Sequence, residues 1–329
     1  MLGLPAFERP GSARRRSSVR AVMALALTLC CTTAVDALAG GPGDEGRENM
    51  TTEIMPGAGG LTEAVAAARG GDWQPLNAVS AEPEAIVAAL APLAEDPDAG
   101  LRLGLVQYLA GLGDSAAAPL LVRLLGDAEP EVQSRAAAAL YDLPLPGAAL
   151  DAEPGAAEAL MAAASDRPLT AAELLLLGYV EDPGAEAMLR GVDAGAAVKL
   201  RPWHRPVPAT LAGDVALSRR GDAAARDRLL QRQPDGPTEE LVFLLSVLRD
   251  VDAPPVLHHL AALTLGDDRT IDLGVPSGAS PKRRVCDLAV DAFTARLDLD
   301  LPFALDPAGR YDEAQRQAVR DAIRGSIPR

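Results

Sequence analysis

Residues 83–143, PEAIVAALAPLAEDPDAGLRLGLVQYLAGLGDSAAAPLLVRLLGDAEPEVQSRAAAALYDL, read as one unit written twice. Sliding the chain by 31 residues sets Leu90 on Leu121, Leu93 on Leu124, Asp96 on Asp127 and Asp98 on Glu129. It then sets Leu101 on Val132, Leu105 on Ala136, Leu109 on Leu140 and Leu112 on Leu143. Apolar positions meet apolar ones, and acids meet acids between them. Self-similarity at such a period marks a stack of small units, each too thin to bury its own apolar face. Ile86, Leu90 and Leu93 form one stripe, and Leu101, Leu105, Leu109 and Leu112 another, both at helical spacing.

The unit boundaries have local causes. Asp98 stands where a side-chain oxygen can accept from the free amides of a second helix, and its charge suits that end of the helix dipole. Gly113 follows the last leucine of the stripe, where a left-handed residue stops a helix without a Cβ clash. Asp114 then begins the next unit. The predicted unit is helix, acidic turn, helix, glycine stop.

This pattern resembles the HEAT-repeat family, including its short bacterial form also seen in phycobilisome-lyase-like proteins. The first helix of such a unit resembles residues 112–121, LGDSAAAPLL, and the second resembles 127–140, DAEPEVQSRAAAAL. The family usually places an arginine after the valine, where this chain has Gln133. A polar ladder between neighbouring turns is therefore expected to be incomplete there. Looser matches follow. Thr170-Ala171-Ala172-Glu173 is a capping box, and Asp182-Pro183-Gly184-Ala185 restarts the chain. Gly221-Asp222-Ala223 repeats the junction at Gly113. Residues 238–248 and 254–265 read as a helix pair, 284–293 as the second helix of a late repeat, and 311–323 as a closing helix. The expected fold is all-α, one right-handed α-solenoid over residues 61–329. The resemblance implies a non-catalytic scaffold for a protein or peptide partner. Its lyase-like branch implies instead an accessory role on a partner protein or chromophore, and a purely structural envelope protein is the third reading.

Composition agrees with helices. Apolar residues make up 48% of the chain but aromatics only 3%, so alanine, leucine and valine must supply the core. With 46 acidic against 31 basic residues the net charge is −15, a field that repels nucleic-acid backbones. Residues 1–39 read as a secretory signal: Arg14, Arg15, Arg16 and Arg20, an apolar run from Ala21, and Ala37-Leu38-Ala39 before the expected cut. A lipoprotein reading would place a lipidated Cys30 at the new N-terminus, and only in that case is a membrane contact expected. Residues 40–60, rich in glycine, read as a linker. Cutting after Ala39 would leave Cys286 as the one cysteine, with no internal disulfide.

Two stretches interrupt the repeats, near 192–210 and 266–282. The first concentrates Lys199, Arg201, Trp203, His204 and Arg205 in an otherwise acidic chain. Tryptophan and arginine dominate binding hot spots, so these five are the candidate partner-binding residues; local packing of Trp203 against proline is the rival. Chemistry is harder to find. Phosphate loops, H-E-x-x-H, G-x-S-x-G and C-x-x-C are all missing, so no catalytic residue, cofactor or metal is assigned. Cys286 sits in an apolar helix and reads as core. The adjacent His258 and His259 diverge by roughly 100° on a helix, too far to share one ion. Asp267, Asp268 and Asp272 read as a solvated acidic loop.

Overall fold

A computed structural model describes residues 59–165, 167–201, 204–272, 282–306 and 308–327, all within one compact unit spanning 45–329. The signal peptide read at 1–39 and most of the linker read at 40–60 lie outside the described residues. Among those described there are fifteen α-helices, and the fold is an all-α solenoid. An N-terminal α1 (Gly59–Arg69) leads into successive pairs. These are α2 (Pro83–Leu90) with α3 (Ala99–Leu112), and α4 (Ala118–Leu125) with α5 (Pro130–Asp142). The short α6 (Pro146–Ala152) precedes α7 (Ala156–Ser165) and α8 (Ala171–Leu177). Then come α9 (Pro183–Arg190) with α10 (Ala209–Arg219), and α11 (Ala223–Leu230) with α12 (Thr238–Ser246). Finally α13 (Pro254–Thr264) pairs with α14 (Val285–Leu297), and α15 (Glu313–Ser326) packs on both.

The second helices form one row, α3 on α5, α5 on α8, α8 on α10, while first helices such as α4 and α7, or α11 and α13, stack in another. The 31-residue register holds in three dimensions. Leu101, Leu105, Val106 and Leu109 are buried on α3, and Val132, Ala136, Ala137 and Leu140 on α5. The caps also hold. Asp98 accepts from the Gly100 amide at 2.8 Å, and Gly113 stops α3 at φ +62°. Thr170 and Glu173 close the capping box of α8, and Gly221 repeats the stop at φ +93°. All seven residues of α8 are buried, as expected of a helix apolar on every side. Its end lies so close to α10 that a Cβ on Gly178 would stand 3.0 Å from Ala216 Cα.

Three expectations are corrected. The turn ladder is not broken at Gln133. Arg102 donates to the Asp96 carbonyl at 2.6 Å and to both oxygens of Asp127. Gln133 donates to the Asp127 carbonyl, also at 2.6 Å and also six residues back, and accepts from Arg167 at a long 3.5 Å. An amide carries both a donor and an acceptor, so it continues the ladder without the charge. The helices read as a pair at 238–248 and 254–265 do not pack closely on one another: α12 packs on α14, and α13 on α11 and α14. Their near-equal lengths and short link imitate a pair, and only long-range packing separates them. The interruptions are not purely irregular. Each contains an antiparallel hairpin, β1 (Ala197–Val198) with β2 (Val207–Pro208), and β3 (Thr270–Ile271) with β4 (Arg283–Arg284). Both feed directly into a second helix. The first amide of that helix donates back across the hairpin, Ala209 to the Ala196 carbonyl and Val285 to the Arg269 carbonyl, each at 2.9 Å.

Candidate interaction site

The first hairpin does not stand free. Arg201, near its tip, makes a two-pronged pair with Asp142, the last residue of α5. Burial lifts the Asp142 carboxyl above its usual range even with that guanidinium beside it. His204 donates its backbone amide to the Arg201 carbonyl at 3.0 Å. Burial, with Arg201 adding repulsion, pushes its imidazole down to about 4, so the ring is neutral at pH 7. Lys199 and Arg205 face solvent, Arg205 lying 3.9 Å from Glu239 at the start of α12. Trp203 lies outside the described residues. Of the candidates, Arg201 is therefore spent on anchoring the hairpin, while Lys199 and Arg205 remain presented.

Beneath the hairpin lies a network that the sequence does not announce. Asp250, 1% exposed, accepts from the hydroxyls of Tyr141, in the last turn of α5, and Tyr179, just past the end of α8. Arg249 lies over the Tyr141 ring at 4.1 Å and Arg219 over the Tyr179 ring at 3.8 Å. Burial first, then the Asp250 charge, holds both phenols well above their ordinary range, so they stay protonated donors. Arg219 also pairs with Asp252 at 3.1 Å, and Arg296 on α14 reaches the same carboxylate at 2.9 Å. A buried carboxylate persists only when so surrounded. One signal could have found it. The chain has four tyrosines, and three of them donate to carboxylates, Tyr311 to Asp291 being the third.

On the side of the first helices, a groove of about 1010 Å³ opens between α9 and α11 with α10 as its floor. Its charges are layered. Asp214 on the floor is 8% exposed and accepts from Arg228 at 2.8 Å; Asp222 is 16% exposed and accepts from Arg190 at 2.8 Å. The Ala225 amide and Arg190 hold the Asp222 carboxyl below its usual range. The arginines face outward, Arg190 59% and Arg228 49% exposed. Two guanidiniums thus stand at the mouth over a buried and a half-buried acid, Arg232 and Glu240 pair beside them, and Leu189, Val192, Leu217 and Leu241 add apolar lining.

Around the second hairpin, the acidic loop is solvated in part, with Asp268 and Asp272 exposed, but Asp267 and Asp268 are also ion-paired. Asp267 is 7% exposed and paired with Arg269; Asp268 accepts from Arg284 at 2.9 Å and Arg316 at 3.0 Å. Cys286 is fully buried, and burial together with the Asp287 charge pushes its thiol up, away from a reactive thiolate. His259 meets the Arg232 carbonyl at 3.0 Å, and the His258 Nε2 is buried without a partner. Among the described residues no group of His, Cys, Asp and Glu converges to hold a metal, and no helix is long and apolar enough to cross a membrane.

No curated protein and no solved structure matches the chain significantly. Residues 87–190, from within α2 to the end of α9, match the family model for HEAT repeats. With the repeat register, the turn ladder and the stacked pairs of that same stretch, the match identifies residues 87–190 as HEAT repeats.

Proposed function

We propose that the protein is a non-catalytic interaction scaffold that grips an extended segment of a partner protein in the groove between α9 and α11. HEAT repeats generally mediate protein–protein interaction, and such scaffolds are typically non-catalytic. The observation that carries the reading is the layering of charge in the groove: guanidiniums face outward over the buried Asp214 and the half-buried Asp222, among apolar side chains. That surface suits backbone carbonyls and acidic side chains, with Arg190 and Arg228 as the recognising groups. Lys199 and Arg205 on the first hairpin supply further positive charge. The accessory, lyase-like reading loses support because Cys286 is sealed with a raised thiol. The basic, apolar and small-residue order of residues 1–39 supports work outside the cytoplasm, in the envelope or exterior.

The test is co-purification of the tagged full chain from its native host against two variants. One is Ala224→Trp, which fills the groove from an exposed position; the other joins Arg190→Glu with Arg228→Glu. A protein held by the wild type and released by both variants supports the groove. One held equally by all three refutes it. Mass spectrometry of the exported chain should find Gly40 first; an uncut chain in the cytoplasm would overturn the export reading.

A further inference from the structure

A second surface, remote in sequence from that groove, has no role in the function proposed above. We infer that the apolar groove between α2 and α6 docks an amphipathic helix of a partner protein, with leucine-like side chains on one face and lysine or arginine at its flanks.

The groove encloses about 580 Å³. One wall is Val87 and Ala88 on α2, with Ala91 just past its end; the other is Leu145, just before α6, with Ala148, Ala149 and Ala152 on it. Both sets recur at the three- and four-residue spacing of a helix face, and the floor is Ala116, Pro119 and Leu120. Two parallel stripes of small side chains with a trough between them are the complement of a third helix carrying large ones. From Glu84 to Ala91 and from Leu145 to Ala152 each wall runs eight positions, about 10 Å at 1.5 Å per residue, which matches two turns of the occupant. Leu145 is 70% exposed, the most exposed of the large apolar side chains in the described residues. Such a side chain at the lip of an apolar trough has a partner to meet.

Charge selects the occupant's flanks. The ionisable residues lining the groove are Glu84 and Glu153, and neither is ion-paired among the described residues. Asp151 lies in the last turn of α6, with Glu153 just beyond it, and that turn has no basic residue. Carboxylates there oppose the helix dipole, whose C-terminal end favours cations. A lysine or arginine from the partner removes that conflict. The surroundings reinforce it: residues 59–165 carry four basic against fifteen acidic residues.

The test uses the full chain and a labelled fourteen-residue probe, leucines at helical a, d and e spacing with lysines at both ends, read by fluorescence anisotropy. Controls are the same composition scrambled, and the same helix with glutamates replacing the lysines. The wild type should bind the lysine-flanked helix at least tenfold more tightly than either control. Ala148→Trp fills the trough from an exposed position without changing charge and should weaken binding at least tenfold. Glu153→Lys should narrow the preference for lysine over glutamate flanks; circular dichroism checks that both variants fold. Equal binding of the scrambled probe, or no loss in Ala148→Trp, overturns the inference. So does a concentration-dependent dimer in light scattering that Ala148→Trp dissolves, because a second copy would then own the groove. Neither readout touches Arg190 or Arg228, so failure here leaves the α9–α11 groove standing, and the converse holds.

Discussion

The helices before residue 166 and those after it are held together differently. Residues 59–165 carry four basic residues, and their ion pairs lie mostly at the surface, as between Arg123 and Glu95 or Arg135 and Glu131. Their cohesion comes from apolar stripes in a constant register, helped by the Arg102–Asp127 pair in the turn. Residues 166–329 carry twenty-one basic residues, and several of the described ones cross from repeat to repeat: Arg219 and Arg296 share Asp252, and Arg284 and Arg316 share Asp268. Here the turns have grown into hairpins and the spacing between repeats has drifted. A regular array can rely on identical apolar interfaces, each a copy of the last. An irregular one needs bonds with direction, and arginine's planar, five-donor head supplies them. The family match ends at residue 190, just before the first hairpin.

The hardest blow to this contrast would come at Asp250. Asp250→Ala strands two buried tyrosine hydroxyls and removes the charge between Arg219 and Arg249, and should lower unfolding free energy by about 4 kcal/mol, read from urea denaturation. A loss under about 1 kcal/mol would mean the network decorates the later repeats without holding them. In the regular half the matching probe is Leu140→Ala, on a fully buried side chain, expected to cost about 3 kcal/mol through lost burial and a cavity.

Acid should act on the later half through His204. Its folded value is about 4 against 6.5 for a free imidazole, so the unfolded chain takes the proton first. The stability it contributes is full above pH 6.5 and drains as pH falls towards 4, by about 3 kcal/mol. Comparing wild type with His204→Gln at pH 7 and pH 4.5 isolates that contribution; equal losses in both would rule it out. The smallest effect belongs to Arg123→Ala, which removes an exposed pair of the early half and should cost no more than about 0.5 kcal/mol. A larger loss would erase the distinction between the two regions.

Much of the fold is legible in the residues themselves. Helical stripes, the caps at Asp98, Thr170 and Asp182, the stops at Gly113 and Gly221 and the places of both interruptions all follow from residues within a few positions of one another. Such features depend on backbone geometry and local hydrogen bonds, which a short window of sequence contains. Among the interaction candidates the cationic hairpin is legible, but not that Arg201 is tied down, since its partner Asp142 is 59 residues away. Tyr141 reaches Asp250 across 109 residues and Tyr179 across 71. Composition and periodicity alone determined that this is a helical repeat chain and where its repeats falter. Only the tertiary structure decided which carboxylates are buried, which arginines face outward and where two grooves open. Those outcomes depend on how distant helices stack, and a pair across many turns leaves no spacing in the sequence to read.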